Sequence, residues 1–171
     1  MLPNLTEFGI ESSVFIRKLD NRNHWNDCNG EDTQKDSALV AQKIFDYQSN
    51  KYSLWYVTND EEFYGVIASL TTNATPQDRN IDFIWIYQSE LEEVGIKFDN
   101  IPESKCHHVK DLHYDAEINQ ATAQKLCHIL INKQRKAHRC LKVKTKCVLK
   151  YQYNKGCKAS DINSLICKCE K

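Results

Sequence analysis

The sequence predicts an α+β fold: a single domain with a mixed or mostly antiparallel sheet packed against two main helices. Short apolar runs rich in β-branched and aromatic residues recur at 13–19, 52–57, 63–70 and 81–87, the pattern of strands. Between and after them, apolar residues fall at helical spacing around 40–45 and 123–131. The 171 residues, 41% hydrophobic with five Gly and three Pro, suit one globular core spanning 1–171, and neither a repeat nor a low-complexity run divides it.

The first strand is SVFIRKL at 13–19, and the Asn-, Asp- and Gly-rich stretch 20–35 reads as a long surface loop. Asp36 or Ser37 caps a helix ending near Gln48, with Val40, Ala41, Ile44 and Phe45 on its buried face. YSLWYV at 52–57 and FYGVIASL at 63–70 read as a β-hairpin joined by the turn residues Thr58, Asn59, Asp60 and Glu61. IDFIWIY at 81–87 has no polar face, which suits a central strand.

Ser89 caps a short helix (ELEEV) that Gly95 closes, and IKFDNIPESK reads as irregular chain. Asp115 caps a long helix in which Ala123, Leu126, Cys127, Leu130 and Ile131 make an apolar stripe. From 141 to 153 the sequence alternates like a strand. Leu141, Val143, Thr145, Cys147, Leu149, Tyr151 and Tyr153 fall on one face, and Lys142, Lys144, Lys146, Val148, Lys150 and Gln152 on the other. Asn154, Lys155 and Gly156 form a turn, and Ser160 caps a last helix, DINSLICKC.

Charge is segregated along the chain. Residues 1–118 hold 21 Asp or Glu against 10 Lys or Arg, and residues 119–171 hold 13 Lys or Arg against 2 acids, so −11 and +11 cancel. A basic part beside an acidic body points to an anionic partner: nucleic acid, the acidic surface of another protein, or the acidic half of the same chain. The expected surface joins a basic helix end to a lysine-faced strand, through Arg135, Lys136, Arg139, Lys142, Lys144, Lys146 and Lys150. Successive lysines on one strand face stand roughly 6.6 Å apart, a row along which a phosphate backbone can lie, with Tyr151 or Tyr153 adding stacking. The bland alternative is a solvated face that discourages edge-to-edge pairing. Self-association of the basic end with the acidic half of a second copy is a further reading.

Cys106, His107, His108 and His113, with Asp111 and Asp115, supply metal-ligating atoms within ten residues, and Cys106 with His113 would make a nucleophilic pair. The spacing matches no standard finger, so no metal is expected. The set His138, Cys140, Cys157, Cys167 and Cys169 has no C-x-x-C knuckle. The eight cysteines are expected as free thiols, with Cys127 and Cys147 acting as small hydrophobes. Trp25, beside His24, Asp27 and Cys28, either marks a ligand contact or folds its loop onto the core. Glu61-Glu62 and Glu92-Glu93 read as solvated surface. No leader-like N-terminus and no 18-residue apolar run is present, which leads to an expectation of a cytoplasmic protein without membrane contact.

The sequence lacks G-x-G-x-x-G, G-x-x-x-x-G-K, H-E-x-x-H and G-x-S-x-G, the commonest nucleotide-binding and hydrolase signatures, and no cofactor is expected. The order strand, helix, hairpin, strand, then VKDLHYD leading into a long helix and a further strand, is similar to the layout of the GCN5-related acetyltransferases. That resemblance implies an acyltransferase that holds the pyrophosphate of acetyl-CoA on a glycine-containing loop at the start of the long helix. The corresponding stretch here, AEINQATAQ, contains no glycine.

Overall fold

β-branched and aromatic runs form most of the strands, and the computed structural model, which describes residues 1–26, 33–45, 51–72, 80–104 and 107–157, joins them in one antiparallel sheet. The strands are β1 (Val14–Leu19), β2 (Lys51–Val57), β3 (Ile81–Ile86), β4 (Lys97–Asn100), β5 (His113–Glu117) and β6 (His138–Cys140), in the order β4-β5-β2-β1-β3-β6. The α+β expectation holds, with β1, β2 and β3 where the sequence puts them. The helices are α1 (Asn23–Asn26), α2 (Thr33–Ile44), α3 (Asp60–Thr72), α4 (Gln88–Glu93), α5 (Gln120–Asn132) and α6 (Lys142–Asn154). Four of these are long, two to each face of the sheet: α2 packs on α5, and α3 on α6.

Alternation along the strands feeds both layers. Val14 and Ile16 join Phe63, Val66, Ile67, Val148 and Leu149 on the α3/α6 side, whereas Phe15 and Leu19 join Val40, Ala41, Phe45, Leu126 and Leu130 on the other. β3 is buried along its whole length, with Ile81, Phe83 and Trp85 facing α3/α6 and Ile84 and Ile86 facing α2/α5. Coverage on both faces explains its unbroken apolar run. It lies between β1 and β6, one place in from the sheet edge.

Several expected elements are corrected. Residues 63–70 are not the second strand of a hairpin but the middle of α3. Asn59 Oδ1 accepts the Glu62 N–H at 3.0 Å, and Glu62 Oε2 accepts from the Thr58 N–H and hydroxyl at 2.7 Å each. This is helix-capping chemistry, reinforced by three acids in the first turn. Residues 63–72 are all buried, so the helix has no polar side to reveal its period.

Residues 141–153 are likewise not a strand. Thr145, Val148, Leu149 and Gln152 are the buried positions of α6, at i, i+3, i+4 and i+7. The alternation of lysines had no sheet to face, because β6 already ends the ladder on β3. Residues 97–100 are an edge strand rather than irregular chain, and part of 107–113 is a 3-10 turn, His107–Leu112. The long helix is capped by Asn119, whose Oδ1 accepts the Thr122 N–H at 3.0 Å; Asp115 lies in β5. Of the expected stripe, Ala123, Leu126, Cys127 and Leu130 are buried and Ile131 is partly buried. The stretch 20–35, expected as a loop, holds α1 and the start of α2, which begins at Thr33, before Asp36. α4 starts after Tyr87 rather than Ser89, and Gly95 closes it with φ 74°. The helix proposed after Ser160 lies outside the described residues.

α3 carries Gly65 at its closest approach to the 3-10 turn. A Cβ there would stand 2.2 Å from Val109 Cγ1, a stiff β-branched atom already in the core. Gly to Ala normally favours a helix interior by about 1 kcal/mol. Here overpacking of about 1–3 kcal/mol opposes it. Gly65→Ala is therefore expected to lower urea-unfolding stability, and adding Val109→Ala to relieve the clash. Stabilisation by Gly65→Ala alone would contradict the close approach.

Candidate functional site

Five cations of the basic part, Lys133, Arg135, Arg139, Lys144 and Lys155, have acidic partners from the first 118 residues. Arg135 Nη2 reaches Glu90 Oε1 at 2.7 Å, and Lys133 Nζ reaches the same oxygen at 3.1 Å. Arg139 grips Asp82 with two bonds, Nε to Oδ1 at 2.6 Å and Nη2 to Oδ2 at 2.7 Å. Lys155 Nζ meets Glu61 Oε2 at 2.8 Å, and Lys144 pairs with Glu7. Of the anionic partners read from the sequence, the acidic half of the same chain is thus engaged through these pairs.

Burial and charge set the character of each pair. Arg135 is buried, with 6% of its side chain exposed and its guanidinium carbon 3.4 Å from the Trp85 ring centroid. Desolvation lowers its pKa from the ordinary value, against the opposing pull of Glu90. Burial pushes the Asp82 carboxyl up, but Arg139 and the Arg22 N–H outweigh it and hold the group below the usual range. Arg139 is correspondingly raised by its bond to Asp82. The Lys144 hydrogen bond likewise lowers Glu7.

The seven expected cations therefore do not form one row. Arg135 lies under the surface on Trp85 and Tyr87, Arg139 clamps Asp82 across β6 and β3, and Lys136 is exposed between them. On α6 the lysines follow the helix. Lys142, Lys146 and Lys150 sit four residues apart along one side, and Lys144 turns toward Glu7. Lys142 and Lys150 are exposed and Lys146 half-buried. Lys142 and Lys146 each take part in a further interaction within the chain. Beside the three lysines, Val143 is 71% and Tyr153 45% exposed. Tyr151 does not share this side: its hydroxyl donates to Glu61 and its ring packs on Tyr64.

The start of α6 has an unusual electrostatic arrangement. Lys142, Lys144 and Lys146 occupy its first, third and fifth positions, and no acid lies in its first turn. Lysines favour helix C-termini, because the N-terminus already carries positive partial charge. The N-cap residue is Leu141, which makes no side-chain cap bond, although Asn80 Oδ1 accepts the Lys142 N–H at 2.8 Å.

The other sequence candidates have structural roles or lie elsewhere. His113 is buried on β5, its Nδ1 2.9 Å from the Ile101 carbonyl and its ring 4.8 Å from that of Trp55. Cys106 lies outside the described residues, as do Cys167 and Cys169. Among the described residues, no three His, Cys, Asp or Glu side chains gather as a metal site. Cys127, Cys140, Cys147 and Cys157 form no disulfide among the described residues. Cys147 lies half-buried on α6 rather than on a strand, and the other three are buried. Trp25 folds its segment inward, donating from Nε1 to the Arg135 carbonyl at 2.6 Å. No helix among the described residues is long and apolar enough to cross a membrane.

The chain matches no protein-family model, no curated protein and no solved structure. The second strand of the expected hairpin and the final strand, on which the similarity to the layout of the GCN5-related acetyltransferases rests, are helices α3 and α6, and all five strand pairings among the described residues are antiparallel.

Proposed function

We propose that the chain binds an anionic polymer, nucleic acid before others, along the outer side of α6 through Lys142, Lys146 and Lys150. The observation that carries this reading is the placement of lysines at the positive end of a helix that has no acid in its first turn. There the dipole and the side chains attract an anion together, whereas stability alone favours acids at that position. At 1.5 Å per residue the three ammonium groups recur about every 6 Å along the axis, close to the phosphate spacing of an extended strand. Tyr153, three residues beyond Lys150, offers a ring for stacking. Such a surface gives affinity and salt dependence without reading bases.

Exposed Leu141 and Val143 favour a second reading, an acidic protein surface with an apolar patch. Fluorescence anisotropy of labelled single- and double-stranded DNA and RNA across a salt series distinguishes the two. Binding is expected to weaken steeply with salt. Lys142→Glu/Lys146→Glu/Lys150→Glu should lower it at least about 100-fold, since each lost phosphate contact also lowers the salt slope by about one. Lys144→Gln, which lies off this side of the helix, should leave it within about threefold. Absence of binding at low salt, or equal loss in the two variants, would remove nucleic acid and leave the protein partner.

A further inference from the structure

A groove of about 240 Å³ opens beyond the far end of α6 from Lys142, between the first turn of α3, Val109 and the last turn of α6. Glu61, Glu62, Val109, Gln152 and Lys155 line it. Gln152 sets it apart from a surface dent. The residue is only 4% exposed, yet its carboxamide finds no hydrogen-bond partner among the described residues and opens on the groove. The carboxamide is not among the side-chain atoms cut off from solvent, so its donor and acceptor are open to the groove, and a ligand there can bond to both.

The charges in the groove determine which ligand fits. Glu61 is answered on both oxygens, by Lys155 at 2.8 Å and by the Tyr151 hydroxyl. These bonds hold its carboxyl below the usual range and push Lys155 up to about 12. Glu62 is not paired with a cation: its Oε2 accepts only the neutral N–H and hydroxyl of Thr58. Two carboxylates against one ammonium leave a net charge of −1 among the lining residues. The α6 carbonyl end adds negative partial charge, and the positive end of α3 is already met by Asp60, Glu61 and Glu62.

We propose that this groove binds a small organic cation, an ammonium or guanidinium on a short aliphatic stem. The stem lies on Val109, and the head donates to the Glu62 carboxylate and to Gln152 Oε1. Gln152 gains the partner it lacks, and the charge of the groove is cancelled. The site is separate from the lysine side of α6 and does not depend on it.

The test is an NMR titration of 15N- and methyl-labelled protein with n-butylguanidinium and n-butylammonium at fixed ionic strength, with sodium butyrate as the anionic control. The Gln152 side-chain amide, assigned by its disappearance in Gln152→Leu, and the Val109 methyls should shift saturably, with Kd on the order of millimolar for ligands of this size. Butyrate should produce no such shift. Followed at the Val109 methyls, Gln152→Leu and Glu62→Gln should each weaken binding about 10-fold, the loss of one charge-assisted bond. Unfolding curves of both variants check that the fold persists, and either one alone suffices for the comparison. A linear, unsaturable shift, equal affinity in folded variants, or an equal response to butyrate would overturn the site.

Discussion

Glu90→Ala is expected to destabilise the protein by about 3–5 kcal/mol in urea unfolding, the range for breaking a buried ion pair from one side. Glu90 is fully buried and accepts from Arg135, Lys133 and, through Oε2, the Tyr87 N–H at 2.8 Å. Its removal leaves the Arg135 guanidinium buried against Trp85 with no counterion, and Nη1 of that group already lacks a hydrogen-bond partner. The Arg135 carbonyl also receives the Trp25 indole N–H, so displacement of Arg135 would loosen α1 as well. A loss of this size is a large share of the roughly 5–15 kcal/mol that holds a typical domain. The double variant Glu90→Leu/Arg135→Met should recover most of it, because a well-packed apolar pair avoids the desolvation of both charges. If Glu90→Ala costs less than about 1 kcal/mol, the pair is behaving as a solvated surface bridge and the buried arrangement is wrong.

Acid should destabilise the fold well above the range where its carboxylates titrate, because of His138. The imidazole lies in β6, its ring centroid 5.8 Å from those of Phe8 and Phe83. Burial, followed by the charges of Arg135, Lys136 and Arg22, pushes its pKa down to about 4. In the unfolded chain the group returns to about 6.5. Between these values the unfolded state binds the extra proton. Stability is thus full above about pH 6.5 and falls as pH drops toward 4. The gap has an upper bound of about 3 kcal/mol, and solvent screening of a half-buried ring brings it to about 1–2 kcal/mol. Urea midpoints at pH 7, 6, 5 and 4.5 should fall for the native sequence and fall less for His138→Phe, which keeps the ring and removes the titration. Glu7, Glu61 and Asp82, all held low, add their losses only below their ordinary values of 4.5, 4.5 and 3.8. Parallel curves for the two proteins down to pH 5 would show that His138 is not the sensor.

The elements legible in the sequence were those whose period survives burial. β1, β2 and the α5 stripe each read correctly because one pattern dominated. α3 is hidden because burial on every side erases its period, and because Thr58 to Glu61 resemble a turn until the Asn59 and Glu62 side chains are seen to cap a helix. α6 was misread because two of its four buried positions, Thr145 and Gln152, are polar, so the alternation of lysines was the stronger visible signal. The candidate surface suffered from distance. Arg135, Arg139, Lys155 and Lys144 find their acids 45, 57, 94 and 137 residues away, and no local pattern encodes such pairings. The groove at Gln152 is formed by three segments and was invisible for the same reason.

The position of α6 late in the chain has a consequence during synthesis. Val148 and Leu149 cover the apolar layer that α3 presents, so that layer stays uncovered until the chain reaches Lys155, 83 residues after Thr72. At roughly 5–20 residues per second, a ribosome needs about 4–17 s to make that stretch. Over this interval the chain made so far stays net acidic, going from −5 at Thr72 to −11 at Ile118 and back to −2 at Lys150. Like charge on neighbouring nascent chains keeps them apart while their apolar surface is bare. The segregation of charge along the sequence thus shields the chain in time, and the cations that neutralise it arrive late, from α5 through β6 to the helix that closes the core.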